Sequence, residues 1–231
     1  MKAIILAGGK GVRLQSVINH CPKPMAPIGG KPFLTYVLDH LSSYDVNEII
    51  FSVHHQREHI QQYFKSQYLH MSVRYAIEEE ALGTGGAIRH ALSIVKSNDP
   101  FIVLNGDTLL HLDIKAMIEQ HLKQKAQLTM ALRSVDDGYR YGKVEVNHDH
   151  VVTHFSEKGQ QGAGLINAGF YVIDPHLFSS FTLPQSFSFE TEFLMPFVAS
   201  IKPQAFMTRD YFIDIGIPED YARAQKELLK V

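Results

Sequence analysis

Ala3-Ile4-Ile5-Leu6-Ala7-Gly8-Gly9-Lys10-Gly11-Val12-Arg13-Leu14 is a short apolar run that breaks into glycines and then delivers a cation. A run of this length, apolar at every position, has the form of a strand buried on both faces in a parallel sheet. The glycines place consecutive backbone N–H groups at the strand's end, where an anionic phosphate can bind. Two familiar phosphate motifs fail here. A dinucleotide fingerprint needs G-x-G-x-x-G, but Gly9-Lys10-Gly11 is followed by Val12, Arg13 and Leu14; a P-loop needs Gly-Lys before Ser or Thr, but Gly9-Lys10 continues into Gly11 and Gly30-Lys31 into Pro32.

Outward from this loop, strand-length apolar runs alternate with helical periodicity through the first half. Pro32 opens a helix with Phe33, Leu34, Val37, Leu38 and Leu41 on one stripe. Ile49–Val53 reads as a strand, Glu58–Lys65 as a polar helix and Ser72–Ala76 as a third strand. Thr84–Val95 is helical, Pro100–Asn105 is the fourth strand and Ile114–Leu122 the next helix. Parallel neighbours need a crossover helix, so this rhythm predicts a Rossmann-like α/β sheet. The second half changes character: Gln127–Leu132, Lys143–Val146, Val151–Phe155 and Leu165–Ile173 are strand-like with little helix between them. They predict an antiparallel or mixed extension forming a second wall of one site. Pro218–Lys230 reads as a closing amphipathic helix.

Composition narrows the partners. The 231 residues carry 22 Lys plus Arg against 24 Asp plus Glu, a formal charge of −2, which leaves no footprint for a nucleic-acid or membrane surface. One cysteine precludes an intramolecular disulfide and agrees with a reducing cytoplasm. Neither a secretory leader nor an apolar run of about 18 residues is expected. Cys21 reads as a small packed residue, and the 13 histidines, His20 and His40 among them, as scattered surface residues.

Three further features carry chemistry. Lys23 lies between Pro22 and Pro24, a stiffened backbone that presents its ammonium at reduced entropic cost. Asp107 follows the buried run Phe101–Leu104, and Asp214 ends Tyr211-Phe212-Ile213. Each carboxylate alone is better explained as a turn residue beside Gly106 or Gly216; together, at the carboxyl edge of a sheet, they suit one Mg²⁺. Glu78-Glu79-Glu80 precedes Leu82-Gly83-Thr84-Gly85. A carboxylate there can accept the paired N1–H and N2–H of guanine, which tilts the reading to GTP, although a solvated acidic loop has the same composition.

The run LAGGKGVRL followed by PKPM resembles the signature of the sugar-1-phosphate nucleotidyltransferases. Leu82–Ala87, Asn105-Gly106-Asp107, Tyr141-Gly142, Glu157-Lys158, Ile166-Asn167-Ala168-Gly169 and Phe212–Gly216 follow in the family's order. The resemblance implies a three-layer α/β/α fold with a mixed, mainly parallel central sheet and a small sugar-binding β extension. It implies a single domain, with a nucleotide lobe at about 1–125 and an acceptor part at about 126–231, and without the C-terminal β-helix of longer relatives. The implied reaction joins a sugar 1-phosphate to the α-phosphorus of a nucleoside triphosphate in the cytoplasm, in a monomer or small homo-oligomer.

By the same resemblance Arg13 and Lys23 are catalytic. Leu6, Ala7, Gly8, Gly9, Gly11, Glu78, Gly83 and Thr84 bind nucleotide. Gly142, Glu157, Lys158 and Asn167 bind the sugar phosphate, with Glu157 on hydroxyls and Lys158 on phosphate, and Asp107 and Asp214 hold Mg²⁺. Pro22–Ile28, Lys31–Leu34 and Tyr211–Tyr221 look most like the branch that guanylylates a heptose 1-phosphate. Mannose, glucose and N-acetylmuramate 1-phosphates, uridylyl or thymidylyl transfer, and an inactive nucleotide-binding subunit stay open at this point.

Overall fold

The structure, a computed structural model, describes residues 1–231 other than 10, 15, 16, 19, 96, 157, 158, 160, 230 and 231. The chain runs β1 (Lys2–Leu6), β2 (Pro27–Ile28), β3 (Lys31–Pro32), α1 (Phe33–Ser42), β4 (Glu48–Val53), α2 (Arg57–Phe64), β5 (Gln67–Tyr68), β6 (Met71–Ile77), α3 (Gly83–Ile94) and β7 (Phe101–Asn105). It continues with β8 (Thr108–Leu110), α4 (Ile114–Gln124), β9 (Leu128–Val135), β10 (Lys143–Val146), β11 (Val152–Phe155) and β12 (Gly164–Ile173). A π-helical turn at Phe189–Leu194 leads into α5 (Met195–Ile201), then β13 (Gln204–Thr208), β14 (Phe212–Asp214) and α6 (Pro218–Glu227).

The centre of the ten-stranded sheet is parallel, in the order β7-β1-β4-β6, with Ile4 opposite both Ile50 and Val103. Successive side chains of β1 serve opposite faces, as the period of two requires. Ala3 and Ile5 join a core with α1, α2, α4 and α6, whereas Ile4 packs with α3 and the phenylalanines of 187–193. Each fully buried Phe or Leu, such as Phe33, Leu34 and Phe193, contributes about 2–3 kcal/mol by leaving water. Chain order reverses at the centre: β1 leads through α1 to β4 on one side, and α3 returns the chain to β7 on the other. The loops after β1 and β7 therefore diverge and open a crevice at the carboxyl edge.

Beyond β7 the sheet is antiparallel and it forks. β12 pairs with β7 through Phe170–Ile173 and with β10 through Leu165–Ile166, while β9 runs antiparallel to β12 with a register shift between Asn167 and Tyr171. β13 then adds to β9 in parallel. The expected second wall is thus an extension of the same sheet. Helix is present in the second half at Phe189–Ile201, which the strand-like pattern does not predict: a π-helical turn lacks the 3.6-residue period and is rich in Phe, which suits strands as well. Among the described residues the short β8 and β14 pair only with each other, and both fall below the length that periodicity detects. Two histidines depart from the expected surface placement, which His20 keeps: His121 is buried against Thr129, and the half-buried His40 packs on His111 with ring centroids 5.0 Å apart. Among the described residues no helix is long and apolar enough to cross a membrane.

Candidate active site

The crevice holds a cavity of about 550 Å³. Its floor is the loop after β1, where the Ala7 N–H continues the ladder to the Ser52 carbonyl and Leu6, Ala7, Gly8 and Gly9 line the wall. Gly8 leaves room for the carboxylate of Glu78: a Cβ there would stand 3.3 Å from Glu78 Oε1. Gly11 has φ +60°, which a side chain resists, and a Cβ would lie 3.1 Å from that of Lys23, so the glycine loop packs directly on the lysine turn. Arg13 follows on a 3₁₀ turn anchored by the buried Leu14 and lines the same cavity.

Lys23 stands on a 3₁₀ turn, Lys23–Met25, held by buried Pro24 and Met25 and by the Cys21 thiol, whose Sγ lies 3.5 Å from the Met25 carbonyl. Its ammonium pairs with Asp107 Oδ2 and lies 3.9 Å from Asp214 Oδ1, with only 11% of the side chain exposed. The two aspartates are far apart in sequence and are joined by the β8–β14 pair, which sets Asp214 opposite Thr108. The Ile215 N–H donates to the Asp107 carbonyl at 3.0 Å and the Gly216 N–H to Asp214 Oδ1 at 2.7 Å. Burial, and then the charge of Asp107, push the Asp214 carboxyl above its ordinary pKa; Lys23, the Gly216 N–H and Arg13 oppose the shift. Two hard carboxylates that already share one cation, the Lys23 ammonium, have the chemistry to hold Mg²⁺. Among the described residues no cluster of three or more such ligands occurs, so further oxygens would come from a substrate phosphate or water.

Glu78 is buried, with 6% of the residue exposed. Its Oε1 accepts from Ser52 Oγ at 2.7 Å and its Oε2 from the Leu82 N–H at 3.1 Å, leaving acceptor capacity on both oxygens toward the cavity. Gly83 and Thr84 open α3 on the facing wall. Gly83 takes φ +66°, with the Phe187 carbonyl oxygen 2.6 Å from where a Cβ would be; the Gly85 N–H donates to that same oxygen, and Thr84 Oγ1 accepts from the Phe189 N–H at 2.9 Å. The start of α3 is thereby bolted to residues 187–189.

A second cavity of about 160 Å³ shares Leu6, Thr84 and Asn105 with the first. Asn167 lines it at the fork of β12, its Oδ1 accepting from the Gly169 N–H and its Nδ2 donating to the buried Tyr171 hydroxyl at 2.8 Å. Burial raises the Tyr171 pKa far above the phenolic range. Asp214 also faces this space, so the carboxylate and lysine cluster lies where the two cavities meet. Gly142 is not among the residues lining either cavity: a Cβ there would meet the Ser156 carbonyl at 2.7 Å, and it is its neighbour Tyr141 that stands on the wall. Glu157 and Lys158 lie outside the described residues.

Several lining residues escape the sequence reading. Asn105, at the end of β7, belongs to both cavities, and its place in Asn-Gly-Asp was a usable signal. Tyr141 and Phe212, whose rings meet edge to face at 6.0 Å, each open a family motif, Tyr141-Gly142 and Phe212–Gly216. Glu190 had no signal, since its place depends on the π-helical turn.

Comparison with known proteins agrees with this architecture. The chain is 44% identical over 228 residues to a D-glycero-alpha-D-manno-heptose 1-phosphate guanylyltransferase of Aneurinibacillus thermoaerophilus, covering 99% of this chain and 98% of the relative. A protein of the same name from Campylobacter jejuni is 43% identical, over 96% and 97% of the two chains. The crystal structure of HddC from Yersinia pseudotuberculosis complexed with GMP-PN superposes with a TM-score of 0.86 at 40% identity, covering 98% of this chain and 99% of that one. The family model for nucleotidyl transferases matches residues 2–231, and the chain belongs to that family.

Proposed function

We propose that this protein transfers GMP from GTP to a heptose 1-phosphate, of the D-glycero-α-D-manno type, releasing pyrophosphate and forming GDP-heptose for surface polysaccharide. The observation that carries the reading is the meeting of Lys23, Asp107 and Asp214 at the junction of a nucleotide-sized cavity with a smaller one, beside Arg13. The names of the relatives from Aneurinibacillus and Campylobacter support the choice of base and sugar.

A sugar 1-phosphate is largely a dianion near neutral pH, its second pKa being about 6, so it attacks the α-phosphorus without a general base. The protein's task is to align two polyanions and to balance charge spreading over the α-phosphate and the leaving pyrophosphate. Leu6, Ala7, Gly8, Gly9 and Gly11 bring backbone close to the triphosphate, and Arg13 and Lys23 neutralise it. Gly83 and Thr84 face the nucleoside. Glu78, fixed by Ser52 and Leu82, accepts the N1–H and N2–H of guanine. Asp107 and Asp214 hold Mg²⁺, which when bound supplies positive charge to phosphate oxygens. Asn167 and the backbone near Gly142 take the acceptor, with Glu157 on its hydroxyls and Lys158 on its phosphate. A cytoplasmic setting is part of the same proposal.

The test crosses GTP, UTP, dTTP and ATP with heptose, mannose, glucose and N-acetylmuramate 1-phosphates and follows pyrophosphate release. Turnover greatest with GTP and the heptose substrate is expected. Tight GTP binding without turnover of any pair would replace the enzyme by a nucleotide-binding regulatory subunit.

A further inference from the structure

We infer that Glu190 reads the acceptor: its carboxylate accepts hydrogen bonds from the sugar's hydroxyls and by its charge turns the phosphate end toward Lys23. The inference rests on the assignment of the smaller cavity to the sugar phosphate. Glu190 lines that cavity together with Asn167, Tyr141 and Asp214. Tyr171, whose hydroxyl accepts from Asn167 Nδ2, lines the same cavity. Among the described residues its carboxylate takes neither a hydrogen bond nor an ion pair, in contrast to Glu78, which takes two hydrogen bonds.

A carboxylate on the wall of a half-enclosed cavity needs donors, and a polyhydroxylated sugar supplies them. It also repels a phosphate dianion, whereas the Lys23 ammonium between Asp107 and Asp214 attracts one, so entry with the hydroxyls toward Glu190 and the phosphate toward Lys23 is favoured. The backbone of Glu190 is well placed for selection. Ser188 Oγ caps the turn by accepting from Thr191 N–H, the Phe189 N–H is fixed on Thr84 Oγ1, and the Phe189 ring meets Tyr171 edge to face at 5.2 Å. Because Thr84 also lines the larger cavity, one connection ties the acceptor reader to the nucleotide wall. π-helical turns recur at functional sites because they present a side chain that regular helix would turn away.

The experiment compares wild type with Glu190→Ala and Glu190→Gln in steady-state kinetics, using GTP and the acceptor found by the substrate panel, and then a set of that acceptor's monodeoxy analogues. Loss of a charge-assisted hydrogen bond predicts a KM for the sugar phosphate raised by roughly tenfold to a hundredfold in the alanine variant, less in the glutamine variant, with the KM for GTP within about twofold. For at least one deoxy analogue the penalty of losing the hydroxyl should vanish in the alanine variant, since the group it bonded is gone. Additive penalties for every analogue, or equal rises in both KM values with a lower melting temperature, would overturn the inference and leave a structural role for the turn. Absence of wild-type turnover with every pair would instead remove the proposed function itself, a separate outcome.

Discussion

The two halves of the site are built by different means. At the larger cavity, Ala7, Glu78, Asn105 and Asp107 each lie at the carboxyl end of β1, β6 or β7, so a strand's end locates a wall of the cavity. At the smaller cavity no single strand end does this. Asn167 sits at a register shift where β12 changes partner, Asp214 arrives through the isolated β8–β14 pair, and Glu190 comes from a π-helical turn. A parallel sheet fixes positions through local pattern and topology, whereas a forked sheet fixes them through pairings between distant segments.

The comparison breaks most visibly where the halves meet. Asp107→Asn is expected to lower turnover by about 10³-fold or more while the circular dichroism spectrum and melting temperature stay near wild type. Retained Mg²⁺-dependent pyrophosphate release would remove Asp107 from the metal pair. The bolt between the halves comes next. Gly83→Ala places a Cβ against the Phe187 carbonyl at a φ of +66° and should cost about 2 kcal/mol, or roughly 4–8 °C in thermal unfolding. An unchanged midpoint would mean that residues 187–189 yield freely.

Glu78→Gln sharpens the contrast by touching the nucleotide side alone. Loss of the paired acceptor should reduce kcat/KM for GTP about tenfold more than for UTP, and equal losses would end the guanine assignment. The smallest effect lies away from both cavities. Burial, and then the neighbouring His111, lower the His40 pKa to about 4 from 6.5. The unfolded chain therefore takes up the proton first, so this stabilisation is complete above pH 6.5 and is lost as pH falls toward 4. His40→Gln should flatten the fall in melting temperature over that window by roughly 2–4 °C relative to wild type. Parallel curves would show that His40 titrates normally.

Legibility in the sequence follows the same division. β1, β4, β6 and β7 and helices α1 to α4 were readable because burial on both faces, or on one helical stripe, leaves a periodic record in consecutive residues. α6 was readable too, although it ends at Glu227, short of the expected Lys230. The glycine loop and the lysine between prolines were equally plain, being contiguous. The π-helical turn and the β8–β14 pair left little record, since an element of three to six residues stabilised by distant contacts need not show a period of its own. His40 misled for a related reason: a histidine's type says nothing of whether a neighbouring ring and helix will cover it.

What the amino-acid sequence by itself determined is the alternation that builds a parallel α/β core, the glycine loop after β1, and the residue types needed at a phosphoryl-transfer site. These follow from local sterics, periodicity and charge. What only the tertiary structure decided is that Lys23 stands between Asp107 and Asp214, that the start of α3 is bolted to residues 187–189, and that Glu190 faces the smaller cavity. Each depends on segments distant in sequence, Lys23 with Asp214 and Thr84 with Phe189 among them, whose meeting is fixed by strand pairing and core packing rather than by any local preference.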